Sequence, residues 1–272
     1  MGISGAELRA RPVLVARAGI VFVAVTVWWL VLYHLVPPAG EYTRSAHIVR
    51  AVGATVFTVP LILLARKFLD RRPFAELGFS SVGRGGRAFL VGVACWGIPA
   101  WSAMAAMLWL GWADITVRES FPRTVLALFG LLVLVLLYEA VPEELIFRGY
   151  FFANLNERWS TASAVVGQAM LFTAWGVLIG AAGSVGRAVL FFAFSLVLGV
   201  LRSVTGNIMA CMGFHAAFQV TTQFLASKWN YLELHDPDLS VQGLAFVVLP
   251  FLAAPLVMWW YRRSRRPVPA AS

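Results

Sequence analysis

Charge is what this sequence has least of. Charged residues make up 13% of its 272 positions and hydrophobic residues 60%, whereas a soluble domain carries about 25% charge. With a mean hydropathy of +0.78, this composition excludes an ordinary soluble domain and points to a polytopic membrane protein. Cysteine is scarce too. Cys95 and Cys211 both sit in apolar runs, which leaves no disulfide framework and no metal-ligand spacing. Acidic residues number 13 against 22 basic ones, for a net charge of +9. The arginines punctuate the spaces between apolar runs, so the excess does not read as a nucleic-acid surface. There is no internal repeat and no low-complexity tract. Nor is there a pair of Gly/Pro-broken helices in matching halves, the pattern of inverted-repeat transporters, so a transporter or channel has little motif support. No small-x-small cleavage site lies between the first apolar run and Pro37-Pro38. That run, preceded by Arg9, Arg11 and Arg17, is expected to be a signal anchor and not a removed signal peptide.

What is present is a series of apolar segments, most near the ~20 residues a helix needs to cross hydrocarbon. Eight spans are expected, at about 13–35, 48–65, 88–112, 124–146, 162–180, 187–202, 206–226 and 241–261. With the N-terminus inside, the outer segments hold Arg44, Arg50, Arg118, Arg123, Arg187 and Lys228, and the other 16 of the 22 basic residues lie in inner segments. The bias predicts both termini cytoplasmic. Seven spans would place Arg262, Arg263, Arg265 and Arg266 outside. The outer loop from Asn230 is acidic, with Glu233, Asp236 and Asp238. The tryptophans Trp28-Trp29, Trp109, Trp112 and Trp259-Trp260, with Tyr261, read as interfacial belts. The inner loop Lys67 to Arg87 reads as a hinge or surface-lying segment whose basic residues suit anionic headgroups. The tail after Arg266 reads as disordered.

The informative stretch is Glu139-Ala-Val-Pro142-Glu143-Glu144-Leu-Ile-Phe147-Arg148-Gly149-Tyr150, which follows the uncharged run from Val125 to Tyr138. Charges at membrane depth cost a few kcal/mol each and usually mark function. On a helix, Glu139 and Glu143 share a face at i,i+4. Glu144 and Arg148 also stand at i,i+4, acid first, so Arg148 can neutralise Glu144 and leave Glu143 free for chemistry. Pro142 removes a backbone hydrogen bond just before the pair and is expected to kink the helix. A second polar pair, His215 and Gln219, shares a face of the seventh span. The turn Leu201-Arg202-Ser-Val-Thr205-Gly206-Asn207 leads into it. Structural readings stand beside the chemical ones. A lone intramembrane histidine is ordinarily a helix–helix hydrogen bond, and Glu143, Glu144 and Arg148 would also serve as a buried ion cluster that fixes helix packing.

Three spacings, Glu143-Glu144-x-x-x-Arg148-Gly149, Phe172-x-x-x-Gly176 and His215-x-x-x-Gln219, resemble the motifs of the CPBP family. These are the CAAX-processing and bacteriocin-processing intramembrane proteases, also called Abi proteins. The resemblance covers about residues 120–225 and is strengthened by Phe147-Arg148-Gly149 and Thr205-Gly206-Asn207. It implies an all-α, polytopic membrane fold with the site facing an internal cavity. It also implies that Glu143, with a histidine of the second motif, activates a water, and that His215 and Gln219 stabilise the oxyanion. Peptide hydrolysis needs just such groups: a base near the attacking water and donors where charge develops. Residues 1–119 then hold three N-terminal spans and the basic loop, 120–226 a four-span CPBP-like core, and 227–272 the last span and a basic tail.

The chain departs from the family pattern in two places. The second-motif histidine falls on Gly176, and the other histidines, His34, His47 and His235, lie near outer boundaries. Catalytic zinc needs about three protein ligands, so no metal or other cofactor is expected, although the family was first described as metal-dependent. Gln219 stands where asparagine is common. Two readings stay open. In one, Glu143 works alone or with Glu139, as an endopeptidase of a membrane-associated or exported protein in a bacterial inner membrane, where prenylated substrates are not expected. In the other, the scaffold has given up chemistry and serves as an immunity, regulatory or binding protein. Gly176 beside Trp175 also offers room for a partner helix. The expected partners are a peptide substrate and the lipid bilayer.

Overall fold

With so little charge to solvate a surface, the chain satisfies its backbone by closing nearly all of it into helices. The computed structural model describes residues 12–36, 43–226, 229, 231–235 and 240–264. Eight long helices run through them: α1 Leu14–Leu35, α2 Arg44–Asp70, α3 Val82–Trp109, α4 Phe121–Asn156, α5 Thr161–Leu178, α6 Val185–Thr205, α7 Ile208–Phe224, and α8, made of Ser240–Gly243, Leu244–Val248 and Leu249–Ser264 in continuous succession. A short turn of helix, Phe74–Leu77, precedes α3. Two strands, β1 Asp114–Val117 and β2 Leu232–His235, pair antiparallel with Asp114 opposite His235.

The all-α membrane fold is as expected, and each expected span corresponds to a helix. Seven segments among the described residues are long and apolar enough to cross a membrane. The exception is α7, with 17 residues. It is the most enclosed helix, buried without a break from Ala210 to Ala216. Large apolar side chains such as Val15, Leu126, Leu90 and Val185 are exposed on the flanking helices, as suits a surface bathed in lipid. The loops expected on a common side meet one another. β1, after α3, pairs with β2, after α7, while the start of α1 and the ends of α2 and α4 are tied together at the other end.

That tie is ionic. Asp70, fully buried at the end of α2, accepts from Arg17 of α1 (3.2 Å), from Arg66 (2.9 Å) and from Asn154 of α4 (3.0 Å). Arg17 also reaches Glu157 (2.9 Å), and Arg66 reaches Glu76 (2.9 Å). Several sequence expectations change here. Arg17 and Arg66, expected only as inner-segment charges, are buried counter-ions. Only part of the expected loop Lys67 to Arg87 is free: Asp70 and Leu77 are buried, α3 begins at Val82, and Lys67, Arg71, Arg84 and Arg87 remain exposed. The fourth span does not stop at 146. It continues to Asn156 and carries Arg148 into the core. Trp109 and Trp112 are exposed as a belt would require, but Trp29 is buried against Trp175. Arg9, Arg11, Pro37-Pro38, Lys228, Asn230, Asp236, Asp238, Arg265, Arg266 and the tail lie outside the described residues, as do the side chains of 259–264.

α7 is held in place by backbone proximity to α3. A Cβ on Gly92 would lie 1.9 Å from the Ala210 carbonyl oxygen, and one on Gly213 would lie 2.0 Å from that of Phe89. Small residues are what allow helices in lipid to approach so closely. Gly213 is two positions before His215, so this contact also sets where that imidazole stands. Gly213→Ala is expected to destabilise the protein by roughly 3 kcal/mol, at the upper end for overpacking, because backbone must move. Gly97→Ala, on α3 with open space beside it, serves as the neutral control. Thermal unfolding of both variants in detergent checks this, and equal melting temperatures would contradict it.

Candidate functional site

The site is built on an irregular part of α4. Around Pro142 the helix widens twice into π-helical turns, Leu136–Ala140 and Leu145–Phe151, separated by Val141–Glu144. Proline has no N–H and crowds the carbonyl one turn back, and a wider turn relieves that crowding. In a π turn the carbonyl five residues before Pro142 is that of Leu137. It accepts instead from the Thr55 hydroxyl of α2. The helix therefore continues through the proline with its backbone satisfied by a neighbour.

Three of the expected residues converge. Arg148 Nη1 donates to Glu144 Oε1 at 2.9 Å, and both side chains are fully buried. His215 Nδ1, from α7, lies 2.8 Å from the same oxygen. An ion-paired carboxylate accepts hydrogen, so Nδ1 carries the proton and Nε2 presents its lone pair. That nitrogen lies 3.9 Å from Glu143 Oε2. Phe172, the first residue of the second motif, covers the Arg148 guanidinium with its ring centroid 4.8 Å away, and Phe194 packs edge-on against the imidazole at 4.8 Å. Glu144 thus holds the cation and orients the histidine, while Glu143 is left without a cation of its own.

Glu143 and His215 face a cavity of about 450 Å³, along with Glu139, Gln219, Phe172 and Trp175. Its other walls include the aromatic rings of Tyr138, Phe191 and Phe218, aliphatic side chains and Arg187. Gln219 reaches the cavity, one turn beyond His215. Glu139 touches it but is engaged elsewhere. Both of its oxygens accept from Gln223 Nε2, at 2.9 and 3.0 Å. Glu139 and Glu143 are therefore not a hydrogen-bonded pair. Gln223 was missed at the sequence level, although it continues the i,i+4 series His215, Gln219, Gln223 on one face of α7.

Gly176 sits where the ring of Phe191 packs. A Cβ there would lie 2.6 Å from Phe191 Cδ1 and 3.4 Å from Ala182 Cβ. The position is occupied from α6 by an aromatic side chain, and Phe191 stacks on Phe172 at 5.2 Å. No local sequence signal reveals this, because Phe191 is one of many aromatic residues in the apolar runs. Gly176 accordingly leaves no opening for a partner helix at that point.

Among the described residues, no three His, Cys, Asp or Glu side chains are grouped so as to hold a metal ion. Glu144 is already committed to Arg148 and His215.

Residues 124–221 match the family of type II CAAX prenyl endopeptidase Rce1-like proteins. No curated protein matches the chain. The matched stretch runs from the start of α4 into α7 and includes Glu139, Glu143, Glu144, Arg148, Phe172, Gly176, His215 and Gln219. The segment that carries the site is therefore similar to a CAAX-protease family, consistent with the CPBP resemblance of its motifs.

Proposed function

We propose that the protein is an intramembrane endopeptidase that hydrolyses a peptide bond of a membrane-associated or exported protein through a water activated by Glu143. The observation that carries this reading is the chain Arg148–Glu144–His215, which ends with Nε2 turned toward Glu143 across 3.9 Å. A carboxylate and an imidazole lone pair at that separation can each accept one hydrogen of the same water molecule. The water's own lone pair is then directed at a substrate carbonyl. Glu143 takes one proton as the oxygen attacks the carbonyl carbon, and passes it to the leaving nitrogen as the C–N bond breaks. Gln219, with amide hydrogens to donate, is positioned on the cavity wall to stabilise the oxyanion. The resemblance implies a share of that task for His215, whereas in this scheme its Nδ1–H is given to Glu144 and its Nε2 accepts from the water. In this scheme His215 also supplies the water-orienting partner that Gly176 does not. The aromatic cavity suits an apolar residue next to the scissile bond.

The basic inner segments and the grouped loops support a bacterial inner-membrane protein with both termini cytoplasmic. The match to a prenyl endopeptidase family leaves the substrate itself unassigned. A second reading, a retired protease acting as an immunity or regulatory protein, draws on one observation: an aromatic side chain, Phe191, covers the second-motif position.

The two readings separate by mutation. With the protein in nanodiscs and a peptide library as substrate, Glu143→Gln is expected to lower cleavage by ~10²–10⁴, the scale of general-base help, at an equal or higher melting temperature. His215→Ala should nearly abolish it. If the wild type cleaves nothing, or Glu143→Gln cleaves equally well, the protease reading fails. Arg148→Met tests structure instead. It strands Glu144 in the core, so a loss of roughly 3–5 kcal/mol and a fall in abundance are expected. Gly176→His alone should not raise activity, because Phe191 blocks the ring. Gly176→His with Phe191→Ala should do so if the second-motif position still faces the reacting water.

A further inference from the structure

A second cavity, of about 330 Å³, shares no lining residue with the first. It opens among the ends of α4 and α6, the start of α5 and the segment after α2, and its walls include Arg72, Glu76, Phe152, Glu157, Thr161 and Arg202. Arg202 is the unusual member. It is only 7% exposed, yet no carboxylate among the described residues pairs with it. Its Nε donates to the Arg148 carbonyl at 3.2 Å, and its guanidinium lies over the Phe152 ring at 5.4 Å. The nearby acids are already in use. Asp70 holds Arg17 and Arg66, Glu76 holds Arg66 and Arg72, and Glu157 holds Arg17 and Arg72. Four arginines thus share three carboxylates, and the unbalanced charge is the buried one.

The seat of that guanidinium is built. Gly78 has φ +96°, and a Cβ there would lie 2.5 Å from the Arg202 guanidinium. Only a residue that has no side chain and tolerates this backbone leaves the arginine its place. The Gly78 carbonyl is fixed in turn by the Ile208 amide at 3.0 Å. Thr161, the first residue of the 18-residue α5, is on the cavity wall, so the positive end of that helix adds to the field. A buried cation without a counter-charge is costly. Here it lines a cavity large enough for a small anion, with the part-exposed Arg72 on the same wall.

We propose that this cavity is a phosphate-binding site in which Arg202 and Arg72 hold the phosphate oxygens, taking the anionic headgroup of a phospholipid or a free phosphate. Guanidinium forks match phosphate oxygens in pairs. Basic cavities between helix ends at headgroup level are where anionic lipids bind membrane proteins. Exposed apolar side chains at this end, Phe68, Trp159 and Val166, supply a surface along which acyl chains can lie.

The test uses the full chain, purified and delipidated in detergent. Short-chain phosphatidylglycerol, short-chain phosphatidylcholine and inorganic phosphate are titrated in separate arms, with melting temperature and adducts in native mass spectrometry as readouts. A ligand that binds only the folded state raises the melting temperature with concentration. Phosphatidylglycerol is expected to raise it and to be retained as a one-to-one adduct, while phosphatidylcholine does neither. An equal rise with inorganic phosphate would identify the free anion as the ligand. Arg202→Gln and the less buried Arg72→Gln should each lose the shift, and Arg72→Gln keeps the test informative if Arg202→Gln fails to fold. No shift in the wild type with any anion, or an undiminished shift in Arg72→Gln, overturns the proposal. Neither readout depends on proteolysis.

Discussion

A charge placed inside a bilayer protein is costly unless a counter-charge meets it, and in this chain the Glu144–Arg148 pair supplies both charges in the core. Both side chains are fully buried, where an unpaired ion is most costly. The pair leaves two consequences. The guanidinium needs cover for the N–H groups that Glu144 does not take, and the rings of Phe172 and Phe194 provide it. The carboxylate has capacity to spare, and it uses the same oxygen to hold His215 at 2.8 Å. A buried ion cluster and an oriented histidine are thus one structure. Reading the motif as packing or as chemistry is not a choice between different contacts.

The second constraint is Pro142. Its missing N–H and its ring favour a wider turn on the N-terminal side, and a π turn closes at i+5 and not at i+4. This changes which residues face the same way. Glu139 lies inside the first widened turn, so the i,i+4 relation to Glu143 does not bring the two carboxylates together, and Glu139 turns to Gln223. Glu144 and Arg148 keep their pairing because long side chains absorb the change. The two carboxylates share the cavity wall without a hydrogen bond between them. Only Glu143 is then left facing the imidazole.

This explains which parts of the site could be read from the sequence. Contacts set by spacing on one helix were legible: the Glu144–Arg148 pair, the shared face of His215 and Gln219, and the turn at Gly206-Asn207, where φ is +65° at the glycine and the asparagine caps α7. The helical membrane fold followed from composition. Contacts between helices distant in sequence were not legible. Nothing in a run of aromatics marks Phe191 as the one over Gly176, or Trp29 as a cavity residue and not a belt anchor. The burial of Arg17 and Arg66 was also hidden. Charge bias assigns arginines to loops, and a helix that continues past its apolar run carries them inward when acids such as Asp70 and Glu144 are there to meet them.

The replacement at Gly176 is better understood as a repacked wall than as a lost residue. A polar side chain removed from a buried site leaves its former partners unsatisfied unless they too change. Here Phe191 packs against Gly176 and stacks on Phe172, so the wall is closed by apolar contact. The polar groups that remain, Glu143, Glu144, His215 and Gln219, form a set that does not require a fifth member to fix its geometry. Arg148 and the carboxylate orient the imidazole, and α3 fixes α7 through Gly92 and Gly213. Glu143 itself stands at the cavity wall without an ion-paired cation, where a glutamine would fill the same space at lower desolvation cost. A glutamine there could not accept a proton, which is what the role proposed for Glu143 requires.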